Sequence, residues 1–474
     1  MVNEIAQPLD QPSIPATVPN ALADVYHAFQ SIIAVDPAPT DSSLRNLVTF
    51  DDAKVEPIHR WYSFKEGYSH RLLSWLLAQD ILPSYKGIRL LDPYCGAGTS
   101  LLASQSHPCD EHIALAVGIE RNPAIQFIAQ AKLNWSQYSI GQIETLLERL
   151  LSDTGRCSQT FSVPSLSTFS ATRRSGKRAF EPTALQDLLY YRDWIKRICG
   201  GIAEYSFFML AWTSTIEKAS NTRKDGRALR LVATPTKLDV KELLLAQCKV
   251  MLDDLYEVCD LPGPQRTCHI RRTYVMKGDA RALQFADNFF TAICYSPPYL
   301  NNIDYTEVYK LELWLRGDVT SQEEFKALRL STFRSHPSVL FPSTTVCDAL
   351  GSNTWIARLK SALLSALPDD CFKQMRRSLF SGYIDDLILS LREQYRVAAP
   401  GTPIVCVVGN SLHGGQQRIP VCTDLLIAAS AQAVGLVVDR LQVARQLPRR
   451  DHQNGWLRET IILMHKPDIL SGGR

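Results

Sequence analysis

The chain has 474 residues, 45% of them hydrophobic and 21% charged, with 24 glycines, 26 prolines and a net charge of +3. This composition is ordinary for a folded protein and excludes collagen-like, low-complexity and wholly disordered classes; at ~150 residues per domain it allows about three domains, or one large domain with insertions. No run approaches the ~18–20 apolar residues of a membrane helix, and the start lacks the basic-then-apolar pattern of a secretory signal.

The twelve cysteines form no C-x-x-C pair. They show no metal-ligand rhythm, and disulfide frameworks belong to small secreted chains. The expectation is a reduced, cytoplasmic protein with no metal site.

In chain order, residues 1–50 read as a proline-punctuated tail followed by a helix over 20–34 that Asn20 can cap. Residues 57–79 have an aromatic-rich start and a periodic helical end. Strand–turn–helix units follow. GIRLLDPYCGAGTSLLASQS predicts a strand over 87–91, a glycine loop and a helix; ALAVGIERNPAIQFIAQAKLNW (114–135) repeats the pattern with an acid at the strand end. TYVMKGDARAL (273–283) is a short strand ending in an acid, and FTAICYSPPYL (290–300) is a buried strand running into a proline turn. Residues 384–411, 425–446 and 458–466 predict helix and strand, helix and strand, then a last strand. Strands alternating with helices predict an α/β fold with a doubly wound, mostly parallel sheet covered on both faces.

Two stretches interrupt this rhythm. Residues 136–270 read as a large, mainly helical insertion between sheet segments 51–135 and 271–314. Residues 315–380 read as a second, polar and irregular insertion before a C-terminal part, 381–474. Loops this long in a compact domain are usually functional. Between Ala171 and Arg230 stand twelve Lys/Arg and six acids, so this segment carries a basic surplus on a near-neutral chain. Such a patch suits a polyanionic partner.

The first chemical signal is Asp92-Pro93-Tyr94-Cys95-Gly96-Ala97-Gly98-Thr99. Gly96 and Gly98 let the backbone approach a ligand at a strand's carboxyl end. The third glycine of a dinucleotide fingerprint would fall at Leu101, which argues against a nucleotide-binding oxidoreductase. Asp92 suits an amine better than a pyrophosphate. Glu120, at the second strand's end, can accept both ribose hydroxyls, and Asp279, at the third, an adenine amino group. The second signal is Ser296-Pro297-Pro298-Tyr299. Its prolines make a donor-free turn, leaving the Pro297 carbonyl and the Ser296 hydroxyl as acceptors for an exocyclic amino group.

These two motifs together resemble the amino-methyltransferases of DNA, which use S-adenosylmethionine to methylate cytosine N4 or adenine N6. The resemblance covers 60–120, 270–315 and 380–466. It implies a Rossmann-like methyltransferase fold. It implies that Asp92, Pro93, Gly96, Gly98 and Thr99 hold the methionine end of the cofactor, Glu120 the ribose, and Asp279 with Ala280 the adenine. Lys65, in the segment His59–Leu73, resembles a residue that closes over the methionine portion. Ser296, Pro297, Pro298 and Tyr299 become the catalytic turn, with Tyr299 stacking on a base flipped out of double-stranded DNA. Serine at the first position of that turn more often accompanies cytosine N4, while adenine N6, an RNA base, or a catalytically silent binder are the alternatives. A restriction-modification setting, with a cognate nuclease, fits such an enzyme. The candidate DNA contacts are Arg173, Arg174, Lys177, Arg178, Lys218, Arg223 and Lys224 in the first insertion; the second insertion ranks behind it.

Overall fold

The computed structural model describes residues 19–64, 67–155, 161–162, 179–224, 229–232, 239–260, 272–301, 303–414, 418–447 and 455–468. Among these, eight strands form one sheet. They are β1 (Val35–Asp36), β2 (Ile88–Asp92), β3 (Ile113–Glu120), β4 (Arg272–Lys277), β5 (Ala292–Tyr295), β6 (Pro403–Gly409), β7 (Val437–Gln446) and β8 (Arg458–His465), in spatial order β1-β7-β8-β6-β5-β2-β3-β4. β8 runs antiparallel to both its neighbours and the other pairings are parallel. From β2 the chain builds outward through β3 to β4, then returns to lay β5 on β2's other side. That reversal leaves a crevice at the carboxyl ends of β2 and β5, where doubly wound sheets bind ligands. The fold is the α/β, Rossmann-like fold with a doubly wound, mostly parallel sheet that the alternation of elements predicts.

Period-two alternation divides the strands between two cores. Leu90, Ala116, Cys294, Val405 and Ile461 face one core; their neighbours Leu91, Val117, Ile293, Ile404 and Ile462 face the other. The first core is covered by helices α2 (Leu72–Ala78), α3 (Thr99–Ala103) and α4 (Pro123–Leu133), and by the helices of the first insertion. Those are α5 (Ile140–Ser152), α6 (Pro182–Ile198), α7 (Ile202–Thr215) and α8 (Val240–Asp260). α7 is apolar nearly all round and buries Phe207, Phe208, Met209, Leu210 and Trp212, as a helix at the centre of a core must. The second core is covered by α1 (Asn20–Gln30) and three helices that follow the second insertion's polar start.

That second insertion departs from the irregular reading. It contains α9 (Gln322–Leu330), α10 (Trp355–Ser365) and the start of α11 (Lys373–Val397), which precedes α12 (Thr423–Ala433). α9 is capped by the Ser321 side chain, which accepts from Glu324 N–H, and it buries only Phe325. One buried position gives almost no periodic signal, so its cap is its clearest mark. The edge strand β1 is two residues long and was equally silent in the pattern. Among the described residues no helix is long and apolar enough to cross a membrane.

Candidate active site

β2 ends at Asp92, and the next six residues turn tightly against β3: Cys95 N–H donates to the Ile119 carbonyl at 3.1 Å, and Gly98 N–H to the Cys95 carbonyl at 2.8 Å. Gly96 has φ +50° and Gly98 φ +84°, conformations that disfavour a side chain. Space for one is also tight. A Cβ on Gly96 would lie 2.9 Å from the Phe64 ring, and one on Gly98 3.3 Å from Ala129 Cβ.

A cleft enclosing about 1000 Å³, its open mouth included, lies at the crevice between β2 and β5. Pro93, Tyr94 and Gly96 reach it from the glycine loop, Glu120 from the end of β3, Asp279 and Ala280 from beyond β4, and Ser296, Pro297 and Pro298 from beyond β5. Four strand ends thus bring both sequence motifs to one place.

Asp92 does not face this cleft as expected for an ammonium ligand. It is 2% exposed, and its carboxylate accepts from Tyr94 N–H at 3.0 Å, Tyr68 Oη at 3.2 Å and the Ser100 hydroxyl. Burial raises its pKa to about 6 against those bonds. A carboxylate so enclosed shapes the loop from beneath. Gly98 and Thr99 also lie outside the cleft lining.

Glu120 is a different case. Its Oε1 accepts from Asn122 N–H at 2.7 Å, and burial lifts its pKa to about 7, so this cleft carboxylate titrates near neutrality. Beside it Asn122, which lines the cleft, caps α4 through Oδ1, while its buried Nδ2 has no partner among the described residues. A buried donor without a partner is costly unless a ligand completes it. Asp279 is fully engaged: Arg281 donates its backbone N–H and Nε to Oδ1, each at 2.9 Å, and Nη2 to Oδ2 at 2.8 Å, with Arg121 Nη1 adding a contact to Oδ2 at 3.3 Å. Burial would raise its pKa, but the bonds and charge of Arg281 hold it below the ordinary carboxylate value. Four bonds fill a carboxylate, so a ligand amino group gains an acceptor there only by displacing Arg121.

On the opposite wall, the Pro298 carbonyl accepts from Tyr383 Oη at 3.0 Å, fixing the proline turn to α11, while the Pro297 carbonyl has no partner among the described residues. Ser296 Oγ lies 3.4 Å from Tyr299 Oη. Tyr299 itself departs from the expectation of a stacking face. Its ring packs toward Gly409 on β6, and it is not among the lining residues. The aromatic residues lining the cleft are Phe64, Tyr94, Tyr305, Tyr309 and Phe333; Phe64 stacks on Tyr309 with centroids 5.4 Å apart and planes 5° apart.

Several wall residues escaped the sequence reading. Phe64 sits in the segment that reading singled out, but an aromatic there looked like core; Lys65 lies outside the described residues. Arg121 and Asn122 follow the acid at β3, where Asn before Pro123 is a helix-start signal. Leu328, Ser331, Thr332, Phe333, Ser335 and His336 come from the second insertion. Arg121 Nε donates to Ser331 Oγ at 2.9 Å, Arg281 Nη2 to the Ser331 carbonyl at 2.8 Å, and Arg334 Nη2 to Asp386 at 2.7 Å, so this wall is tied to both β3 and α11.

Of the proposed DNA contacts, Arg173, Arg174, Lys177 and Arg178 lie outside the described residues. Lys224 is corrected. It is buried, pairs with Glu312 at 2.5 Å and Glu217 at 3.5 Å, and sits 4.4 Å from the centre of the Tyr309 ring, so its charge is spent inside the protein. Arg223 is half-buried and donates to the carbonyls of Glu217, Ser220 and Thr222. Lys218 is exposed, with Nζ 3.1 Å from Gln247 Oε1.

The chain is similar to type II methyltransferases. It is 25% identical to Type II methyltransferase M.BsoBI of Geobacillus stearothermophilus over 477 aligned residues, covering 90% of this chain and 89% of that protein. It is also 25% identical to Type II methyltransferase M.AvaI of Nostoc sp. over 436, covering 85% and 84%. No family model matches. Among solved structures, an rRNA methyltransferase, aviRa from Streptomyces viridochromogenes, matches with 10% identity and a TM-score of 0.29 over 92% of this chain and 100% of that one, too slight a likeness to bear on the site.

Proposed function

We propose that the chain is a DNA methyltransferase of the type II kind, transferring a methyl group from S-adenosylmethionine to the exocyclic amino group of a flipped-out base, with cytosine N4 as the target. The observation that carries this reading is the single cleft in which the Gly96 loop, Glu120 and the Ser296-Pro297-Pro298 turn meet. Similarity to two type II methyltransferases over most of their length supports it.

The residues present fit the cofactor. The loop around Gly96 has no side chain to obstruct a ligand, Glu120 offers a carboxylate for ribose hydroxyls, the spare Nδ2 of Asn122 offers a donor, and Ile119, Ala280 and Leu328 give an apolar slot for a purine. When bound, S-adenosylmethionine supplies an electrophilic methyl on a sulfonium. The protein's task is then to orient a poor nucleophile, since an amino nitrogen on an aromatic base delocalises its lone pair into the ring. Ser296 Oγ and the Pro297 carbonyl accept its two hydrogens and favour a pyramidal nitrogen with a directed lone pair. Holding the reacting groups in line accounts for most of the expected acceleration.

Serine rather than an acid at position 296 supports cytosine over adenine. The second insertion, which lines the cleft, is the better candidate to read the DNA around the flipped base. The relatives' type II designation supports a restriction-modification role.

The test is incubation of the purified chain with methyl-labelled S-adenosylmethionine and unmethylated DNA, followed by nucleoside analysis. Label in N4-methylcytosine is expected. Label in N6-methyladenine would keep the mechanism and change the base, whereas transfer only to RNA, or cofactor binding without transfer, would overturn the reading.

A further inference from the structure

His336 lies on the cleft wall with its side chain only 2% exposed. Its Nδ1 is 2.6 Å from Ser338 Oγ and its Nε2 3.3 Å from Thr332 Oγ1. Counting hydrogens around the ring decides where its proton sits. Ser338 Oγ is also 2.6 Å from Asp304 Oδ2. Asp304 is ionised: burial alone would raise its pKa, but the hydroxyl bonds of Ser338 and Thr306 and the Arg329 guanidinium, 2.8 Å from Oδ2, hold it below the ordinary value. A carboxylate only accepts, so the one hydroxyl hydrogen of Ser338 points to Asp304. Ser338 must then receive its other bond from His336 Nδ1–H. Thr332 likewise gives its hydroxyl hydrogen to the Arg329 carbonyl at 2.7 Å and has none for Nε2. The neutral imidazole therefore carries its proton on Nδ1, and Nε2 is a bare acceptor on the cleft wall.

We propose that Nε2 of His336 takes the proton that the target amino nitrogen sheds on methylation. This rests on the amino-methyl transfer reading above. In that step the nitrogen lone pair forms the N–C bond. The electron pair of the broken C–S bond stays on sulfur as a neutral thioether, and one of the two N–H hydrogens leaves as a proton for Nε2, directly or across one water. Ser296 and the Pro297 carbonyl hold those hydrogens beforehand but are too weakly basic to keep one. The other bases on the cleft are committed elsewhere: Asp279 is filled by Arg281 and Arg121, and Glu120 stands at the ribose end. The imidazolium that forms keeps its Nδ1–H bond to Ser338, behind which stands Asp304.

The charged groups facing the ring agree with a base that is neutral at rest. Burial pushes its pKa below the ordinary histidine value, with Arg329 adding to that and Asp304 and Glu307 opposing it. His336 is thus ready to accept at neutral pH and is lost as an acceptor as the pH falls through its lowered pKa.

Two readouts test this on the full-length protein. In ¹⁵N-histidine spectra, the signal missing from His336→Gln is expected to report the Nδ1–H tautomer at pH ~8. An Nε2–H tautomer would overturn the proposal. In single-turnover methyl transfer at saturating S-adenosylmethionine, the wild-type rate is expected to fall on the acid side of pH ~6.5. His336→Gln is expected to be ~10²-fold slower without that acid limb, with cofactor affinity unchanged. A wild-type rate in His336→Gln would overturn the proton role alone. A wild-type protein that binds cofactor but methylates no base would overturn the function on which it rests.

Discussion

Residues 136–270 and 315–380 both break the strand–helix rhythm, yet their side chains finish in different places. From the first come Phe207, Phe208 and Trp212, packed at the centre of a core, and Asp254, which is fully buried. Asp254 accepts from Ile58 N–H at 2.8 Å and from Arg60 Nε and Trp61 Nε1, each at 2.9 Å. Ser214 Oγ and Gln247 Nε2 donate to the Trp61 carbonyl at 2.8 and 3.1 Å. The described part of the first insertion is a clamp on residues 58–62, the lead-in to Phe64 on the cleft. From the second come Leu328, Ser331, Thr332, Phe333, Ser335 and His336, which line one wall of the cleft. The first insertion joins a core, and charges such as Lys224 are consumed in holding it there; the polar start of the second buries only Phe325 of its first helix and lines the site, while its later helix α10 joins the other core. A count of lysines and arginines along the chain does not separate these cases, because Lys224 and a surface lysine look alike in sequence.

That contrast can be broken by substitution. The largest expected effect is on the clamp: Asp254→Ala leaves the part-exposed Arg60 guanidinium and the buried N–H groups of Ile58 and Trp61 without their acceptor, and each buried donor left unpaired typically costs about 1–3 kcal/mol. Thermal or denaturant melts should show the loss, and an unchanged melting point would mean that the first insertion does not brace the sheet. On the cleft side, Ser296→Ala should slow methyl transfer by ~10–100-fold, the equivalent of one lost hydrogen bond to a reacting group. The melt and cofactor affinity should stay as they were; equal loss of binding and rate would remove Ser296 from the base-binding wall.

Glu120→Gln should weaken S-adenosylmethionine binding by roughly tenfold at pH ~8, the loss of a charge-assisted bond. The wild-type affinity should itself fall as pH drops through about 7, where Glu120 takes up its proton. For the free protein the sign is opposite. A raised carboxyl pKa favours the native state fully below the unfolded value and progressively less as pH rises through about 7. Titration of cofactor affinity in both proteins checks this, and a wild-type affinity flat across neutrality would take Glu120 off the ribose. The smallest effect belongs to Lys218→Ala, whose exposed side chain should change stability by less than ~0.5 kcal/mol and leave the salt dependence of DNA binding intact. A reduction of that slope by ~1 would make the first insertion a phosphate-binding surface after all.

The sheet was legible because its strands are apolar runs ended by Asp92, Glu120 and the Ser296 turn, and because Gly96 and Gly98 mark the loop that the crevice requires. The same reading placed Asp92 on the ligand, since sequence cannot say that Tyr68 and Ser100 fold beneath the loop to meet it. It gave Tyr299 the stacking role, although its ring turns toward β6. The far wall was illegible for a physical reason. Ser331, Thr332, Ser335 and His336 are short polar side chains in a segment with one buried helical position. Only tertiary ties to Arg121, Arg281 and Asp386 bring that segment onto the cleft.

The most direct measurement of the central claim is nucleoside mass spectrometry on DNA from cells expressing the intact chain beside cells expressing Ser296→Ala. N4-methylcytosine present only with the intact chain is the predicted result. Equal levels in both, or no methylated base from an intact chain that binds S-adenosylmethionine, would contradict it.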